Sequence, residues 1–496
     1  MKRRIPYFPT LLPLAAALAL ALGGCVSSGG LHPDGKLQSP DSLHDQQTLA
    51  ALGVASAQWP AQDWWTGLGD PQLDALIAEA LRDNPSLAVA DARAREAQAQ
   101  VGVANAARLP DVKAGGSLGG SRLPATAAPL GDGHYAPMKY ADASFSWGPD
   151  LWGGKRAAWE AAMGQARAAQ IDARAARIEL STNVARAYAQ LGYAFTQLDL
   201  ARAERARAAQ ARALTAQRVA AGIDSQLQIK QDDAALASAD KGVAQAQRAI
   251  DSARSALSVL LGKGPDRGLE ITRPKALAPS AVAVPDNLPI ELLGHRADIV
   301  AARWRVQAAA RQIKVAKTEF LPNLSIGAYA GLITLGSANL FQAPARFFAV
   351  APSLSLPLFD GGRLRANLAG RDAQYDEAVA DYNQRLVGAV DQVADDLSAL
   401  KALDEEAVAQ QRGLDAARQA WQLEQDRYKA GIGSYLESLT VRQQLLGAEQ
   451  TMAQIKAQQV DMSMQLIQAL GGGFRPGQGP DGHADDQAAI TSNPSS

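Results

Sequence analysis

Few residues in this 496-residue chain have a type and spacing that could make or break covalent bonds. The five histidines (His32, His44, His134, His295 and His483) are scattered, and with a single cysteine they offer no recognisable metal-ligand spacing. There is no Gly-x-Ser-x-Gly nucleophile turn and no His-Glu-x-x-His pair, and Gly262-Lys263-Gly264 lacks the upstream glycine and the Ser or Thr of a phosphate-binding loop. Carboxylates are abundant in helical stretches, where paired acids are ordinarily solvated faces. The sequence therefore predicts no enzyme, no cofactor and no metal.

The lone cysteine is informative through its position. Lys2, Arg3 and Arg4 precede an apolar run from Leu11 to Leu22, too short for the roughly 20 residues of a membrane-spanning helix, so it reads as a secretory signal. Leu22-Gly23-Gly24-Cys25 places small residues directly before the cysteine and resembles the bacterial lipobox. That resemblance implies cleavage before Cys25 and acylation there, and three acyl chains exceed what stable anchoring needs. Val26 follows where inner-membrane lipoproteins typically carry Asp, so the expected destination is the outer membrane. No later run of about 18 apolar residues exists, so any further crossing must use strands.

Composition points to helices packed closely. The chain is 47% hydrophobic but only 5% aromatic, and alanine makes up about a fifth of it. With 49 basic and 50 acidic residues, a net charge of -1, there is no charge excess to attract nucleic acid. Length alone suggests about three domains, but an internal repeat replaces that count.

Arg108-Leu109-Pro110-Asp111 matches Phe320-Leu321-Pro322-Asn323, and Trp152-Gly153-Gly154-Lys155 matches Asp360-Gly361-Gly362-Arg363. Arg218-Val219-Ala220-Ala221-Gly222-Ile223-Asp224-Ser225 matches Arg427-Tyr428-Lys429-Ala430-Gly431-Ile432-Gly433-Ser434, and Leu261-Gly262 matches Leu470-Gly471, all about 210 residues apart. An ordered series that includes turn glycines marks a tandem duplication. Each copy predicts a helix (about 85 to 108, and 297 to 320), two strands, a very long helix (about 155 to 220, and 363 to 430), a glycine turn, and a returning helix (about 226 to 261, and 434 to 470). In the second long helix Leu364, Leu368, Tyr375, Val379, Tyr382, Leu386, Val390, Val393, Leu397 and Leu400 step by three or four apart from one gap, which is a helical period. Helices of that length run about 100 Å and need a lateral partner along their whole extent.

The strands set this chain apart from a filamentous coiled coil. Leu324, Ile326, Ala328, Ala330 and Leu332 alternate with small or polar residues, as do Phe348, Val350, Leu354, Leu356 and Leu358. In the first copy Asp111 to Ser121 is glycine-rich, and Ala141, Ala143, Phe145 and Trp147 alternate with Asp142, Ser144, Ser146 and Gly148. The length and alternation match outer-membrane strands, with Trp147 and Trp152 suited to an interface belt. Loops rich in Pro, Gly and small residues, 122–137 and 336–346, join each pair. Four strands cannot close a roomy membrane barrel, and lipid does not tolerate open edges. Three chains, supplying 12 strands, would close it.

The segments Trp64-Trp65-Thr66-Gly67-Leu68-Gly69-Asp70-Pro71-Gln72-Leu73-Asp74-Ala75-Leu76-Ile77, Leu292-Leu293-Gly294-His295-Arg296-Ala297-Asp298-Ile299-Val300-Ala301-Ala302 and Tyr428-Lys429-Ala430-Gly431-Ile432-Gly433-Ser434-Tyr435-Leu436 resemble the TolC-type outer membrane efflux factors, in their NodT/OprM-like lipoprotein branch. The resemblance covers about residues 59 to 471. It implies a mainly α fold with a β-barrel part: a trimeric tunnel of a 12-stranded outer-membrane barrel, four strands per chain, continuing into a long periplasmic helical barrel. It implies as partners two further copies of the chain, outer membrane lipid, a periplasmic adaptor and an inner-membrane efflux pump.

The resemblance also places both glycine turns at the periplasmic tip, making Gly222, Ile223, Ser225, Leu227, Gly431, Ile432, Ser434 and Leu436 the expected turn and adaptor-contact residues. Tyr428, Leu436, Glu437 and Thr440 are the expected gate. Leu436 matches an apolar constriction position. Thr440 stands where relatives carry an acid, and Val441-Arg442 departs from the usual Ala-Gln. Glu437 is read mainly as a solvated acid. The expected organisation is a signal peptide (1–24), a lipidated linker (25–60), two repeats (61–285 and 286–471) and a disordered tail (472–496). The expected activity is passive: an exit duct for drugs or other small molecules that a pump and adaptor deliver. A closed structural spacer is the rival expectation.

Overall fold

Proline, glycine and capping residues punctuate two otherwise regular periods, and the computed structural model shows where each period starts and stops. It describes residues 27–39, 55–56, 58–122, 124, 126, 134–277, 283–284 and 288–475. Cys25, the signal segment, half of the linker and residues 476–496 lie outside the described residues.

The first half runs β1 (Ala55–Ser56), a tight turn (Trp64–Leu68), α1 (Pro71–Asp83), α2 (Pro85–Ala106), β2 (Asp111–Arg122), β3 (Tyr135–Trp147), α3 (Gly154–Ala220), α4 (Gln226–Leu260) and α5 (Asp266–Leu269). The second runs β4 (Ala283–Val284), α6 (Leu288–His295), α7 (Ala297–Thr318), β5 (Asn323–Leu335), a tight turn (Ala343–Ala345), β6 (Arg346–Ser355), α8 (Arg363–Lys429) and α9 (Tyr435–Ala469). The copies agree in length as well as order: α2 and α7 have 22 residues each, α3 and α8 have 67, and α4 and α9 have 35.

The chain forms two compact units. One comprises residues up to Leu37, Arg93–Ala169 and Ala302–Tyr382. It holds the strands β2, β3, β5 and β6 in one antiparallel sheet, and its helical core joins Ile313, Ala316 and Phe320 of the α7 end to Leu364 and Leu368 of α8. Small residues allow close approach here: a Cβ on Gly164 of α3 would come within 3.1 Å of the Ala308 methyl on α7. The gap in the α8 stripe is filled by Asp372, which is buried with neither carboxylate oxygen accepting a hydrogen bond.

The other unit comprises Gln38–Ala92, Gln170–Ala301 and residues from Asn383 on. Its largest core gathers Leu73, Leu76, Ile77 and Ala80 of α1, Leu180, Val184, Tyr188 and Leu191 of α3, Ile250 and Leu257 of α4, and Val460 and Met464 of α9. Helix α1 starts because Asp70 accepts from the Gln72 N–H at 3.0 Å and Pro71 occupies the first turn. It stops before Pro85, which disfavours helix in the residue ahead of it. A second cluster sets Leu292 of α6 against Val393, Leu397 and Leu400 of α8 and Leu466 of α9. Strands β1 and β4 pair in parallel, Ala55 with Ala283 and Ser56 with Val284.

Three boundaries differ from the sequence expectation. Strand β6 ends at Ser355 rather than reaching Leu358, because Ser355 pairs with Asn323, the first residue of β5. Strand β3 begins at Tyr135, six residues before its clear alternation, paired with Arg122 of β2. Past Gly471 the chain stays packed: Gly472, Gly473 and Phe474 are buried, inside the segment read as tail. Helices α1 and α6 and the short parallel pair are not anticipated at all.

Candidate functional site

The sheet has the order β2-β3-β5-β6, antiparallel throughout. Cross-strand partners share a face and successive residues alternate, so the register sorts every side chain. Val112 pairs with Phe145, Phe145 with Ala328, and Ala328 with Val350. This face also carries Ala114, Leu118, Ala141, Ala143, Trp147, Leu324, Ile326, Ala330, Leu332, Phe348 and Leu354, with Arg122, Lys139, Thr334 and Arg346 entering only near the loop end. The opposite face carries Asp111, Lys113, Asp142, Ser144, Ser146, Ser325, Tyr329 and Ser353, and towards the loop end Met138, Tyr140, Ile333, Leu335 and Phe347. The hydroxyls of Ser325 and Ser353 lie 2.7 Å apart there, and Lys113 pairs with Asp111 at 3.1 Å.

Away from the loop end one face is thus apolar and the other polar, as a strand between lipid and a water-filled lumen requires. On the apolar face Val112, Leu118, Phe348, Val350 and Leu354 are 70–86% exposed in the single chain. The outer edges of β2 and β6 have no partner strand among the described residues. At the helix-side end two indoles tie the strand termini down: Trp147 Nε1 donates to the Arg108 carbonyl at 3.2 Å and Trp152 Nε1 to the Pro322 carbonyl at 2.7 Å.

Residues 27–37 lie along the start of α8. Arg365 Nε donates to the Ser27 carbonyl at 3.0 Å, and the Gly35 N–H donates to Asp376 Oδ1 at 2.6 Å. A Cβ on Gly35 would meet the Asp376 Cα at 3.1 Å, so a glycine permits that approach. Cys25 itself, the expected lipidation site, is outside the described residues; Ser27, two positions on, is held at the first turn of α8.

The two hairpin turns are built alike. Gly222 and Gly431 take φ of 72° and 76°, the left-handed backbone that lets each long helix end and reverse. In the first turn the Ile223 N–H reaches the Arg218 carbonyl at 2.8 Å, and Arg218 Nε holds Asp224 at 2.7 Å. The Ser225 N–H donates to the Gln228 side-chain oxygen at 2.6 Å and opens α4. In the second turn the Ile432 N–H reaches the Arg427 carbonyl at 3.1 Å, and Ser434 and Glu437 form a reciprocal capping box, both bonds 3.1 Å. The Ser434 N–H and hydroxyl hold the Glu437 carboxyl below its ordinary value.

The expected tip and gate residues are therefore placed as follows. Ile223, Leu227, Ile432 and Leu436 are 64–72% exposed, an apolar set on both turns. Thr440 donates to the Leu436 carbonyl of its own helix at 2.9 Å. Tyr428 packs against Tyr435, ring centroids 6.2 Å apart, and lies under the Arg218 guanidinium at 5.3 Å. Burial pushes both tyrosine hydroxyls upward. The Tyr435 hydroxyl donates to Asp232 of α4, which is 1% exposed and has its other oxygen unpartnered. Arg218, Asp224, Asp232 and Tyr435 are missed as site residues by the sequence reading. The one available signal is Asp232 as a carboxylate in a stripe of small residues, and its partner is 203 positions away.

Among the described residues no group of three or more His, Cys, Asp and Glu side chains is placed to hold a metal ion, and no helix is long and apolar enough to cross a membrane.

Comparison with known proteins adds to this geometry. The family model described as outer membrane efflux protein matches residues 76–263 and 288–472. The chain is 34% identical over 436 residues to the multidrug resistance outer membrane protein MdtP of Escherichia coli (strain K12), covering 86% of this chain and 89% of that one. It is 34% identical over 375 residues to the fusaric acid resistance protein FusA of Burkholderia cepacia, covering 73% and 69%. The crystal structure of the outer membrane protein VceC from Vibrio cholerae superposes with a TM-score of 0.78 at 33% identity, covering 84% of this chain and 100% of that chain.

Proposed function

Because the chain belongs to the outer membrane efflux protein family, we propose that it works as a homotrimer, its four-stranded sheets closing into one 12-stranded barrel. It is an outer membrane efflux channel with the TolC-like fold, a helical tunnel joined to a barrel segment. The observation that carries the reading is the sheet: one apolar face, one polar face, and two open edges of 12 and 10 residues. An edge open to lipid leaves backbone groups unsatisfied, whereas pairing β2 of one copy with β6 of the next satisfies them all. The polar face then lines a wet lumen.

The duct itself is passive. It offers a wide polar route with weak discrimination, so the cargo, drugs or other small molecules, is selected by an inner-membrane pump and passed on by a periplasmic adaptor. The names of MdtP and FusA, one a multidrug and one a fusaric acid resistance protein, support a small-molecule cargo. The adaptor meets the tip turns, at Gly222, Ile223, Ser225 and Leu227 and at Gly431, Ile432, Ser434 and Leu436, where exposed apolar side chains flank the capped helix starts. The gate lies just above, around Tyr428, Leu436, Glu437 and Thr440. Acylation of Cys25 adds an anchor on the periplasmic side, consistent with Ser27 being held at the first turn of α8.

Conductance in planar bilayers tests the duct. The purified trimer is expected to give a large pore once mild urea or a tip substitution loosens the closed end, and a trimer silent under every condition would make it a spacer. Single cysteines at Ser225 and Ser434 are expected to cross-link to a co-expressed adaptor; no adduct at either position would remove the tip assignment.

A further inference from the structure

A cavity of about 140 Å³ lies in the unit built around α1, where α3 meets the residues just past α9. Trp65, Ile178 and Phe474 give it apolar walls, and three arginines line it as well: Arg174 and Arg177 of α3, and Arg475. Gly472 and Gly473 hold left-handed φ of 55° and 82°, and a Cβ on either would collide with Ile178 or with the Ala61 carbonyl. Only glycine passes that gap. The passage buries Phe474 to 4% exposure and brings Arg475 to the same cavity as the two arginines of α3.

Three cations around one small cavity repel one another unless anions neutralise them. Arg177 is partnered: Nη2 donates to Asp91 Oδ2 at 2.9 Å and Nη1 to the Ala173 carbonyl at 3.0 Å. Among the described residues neither Arg174 nor Arg475 has an acidic partner, and no carboxylate lines the cavity. Two guanidinium forks against an apolar wall make a receptor for carboxylates, since each fork can hold one bidentately. The nearest such groups in the sequence follow directly. Residues 476–496 carry Asp481, Asp485 and Asp486 and no Lys or Arg. Asp481 comes six positions after Arg475, a reach of up to roughly 20 Å, so its tether keeps it at high effective concentration near the cavity.

We propose that the cavity is a carboxylate-binding site and that the acidic stretch Asp481 to Asp486 of the same chain is its occupant. These acids neutralise Arg174 and Arg475 and so tie the stretch beyond α9 to α3. The site needs neither lumen nor adaptor and is independent of the exit-duct reading.

The test uses the full-length protein in detergent and, as probe, a fluorescent synthetic peptide of residues 476–496. In the full-length variant D481N/D485N/D486N the cavity is left to the probe, which is expected to bind at least about tenfold more tightly than to the parent, whose own acids compete. Adding R174Q or R475Q to that variant is expected to weaken the probe about tenfold or more, as is high salt. A probe with Asn at the three positions is expected not to bind. R475Q, at an exposed side chain, carries the test if R174Q fails to assemble. Equal binding of the probe to the parent and the triple variant would overturn the chain's own acids as occupant and leave the cavity to an acidic peptide of another protein. Binding untouched by R174Q and R475Q, or no binding to the triple variant at all, would overturn the carboxylate site.

Discussion

The Tyr188 hydroxyl donates to Asp70 Oδ2 at 2.7 Å, joining the middle of the long helix α3 to the cap of α1. Tyr188 is wholly buried and Asp70 is 3% exposed. Burial opposes ionisation of Asp70, but the Tyr188 hydroxyl and the N–H groups of Lys275, Gln72 and Leu73 outweigh it and hold the carboxyl below its ordinary value. The bond fixes where α1 docks on the helical wall. Tyr188→Phe is expected to cost about 1–2 kcal/mol, read as a lower temperature of thermal unfolding. An acid with a depressed folded-state pKa stabilises above its unfolded pKa and loses that contribution as pH falls. The variant's deficit should therefore be largest at neutral pH and shrink towards pH 2.

Asp396 behaves in the opposite sense. Burial, with Asp395 beside it, pushes its carboxyl up to about 6, against the pull of Arg186 and Arg296. A raised acid favours the fold while protonated, so its contribution is greatest below its unfolded value of 3.8 and is lost as pH rises through about 6. Asp396→Asn is expected to gain on the order of 1 kcal/mol over the parent at pH 8, and to show no gain at pH 4. Thermal unfolding at the two pH values checks this; equal differences at both would exclude Asp396 as the titrating group.

At the hairpin turns the expected cost is one of backbone alone. Nothing lies within 4 Å of a Cβ added to Gly222 or Gly431, yet both have positive φ. Gly222→Ala or Gly431→Ala should cost about 1 kcal/mol, confined to the tip. Amide exchange should quicken in the first turns of α4 or α9 while the α1 core keeps its protection.

The two faces of the sheet should respond differently to one charge. Val350→Arg places a guanidinium on the apolar face, at a cost of about 2–4 kcal/mol near mid-membrane, and should reduce the assembled protein recovered in outer membranes. Ser144→Arg on the polar face should leave recovery near the parent level. Equal loss from both would contradict the assignment of faces.

Much of the architecture is legible in the sequence because it rests on local periods. The α8 stripe is buried at eight of its ten positions, with Tyr375 and Val390 half-buried, and the two glycine turns fall where the copies match. Asp372 shows the limit of such reading: a carboxylate in a stripe gap looks like a break, yet it is buried with the rest. The Asp70-Pro71 start of α1 is a readable cap, but nothing local says that Tyr188 completes it. The long-range contacts near the hairpin turns are the least legible. Glu204 and Arg442 are 238 positions apart, and each alone resembles the many solvated charges of Ala-rich helices. Only the fold brings them together.

The unpaired outer edges of β2 and β6 also bear on biogenesis. A lone subunit in transit offers two sticky templates and an oily surface to any extended chain it meets. Such a subunit cannot wait long in the aqueous compartment between synthesis and membrane. In the proposed trimer, closure of the barrel is the event that removes both edges from water.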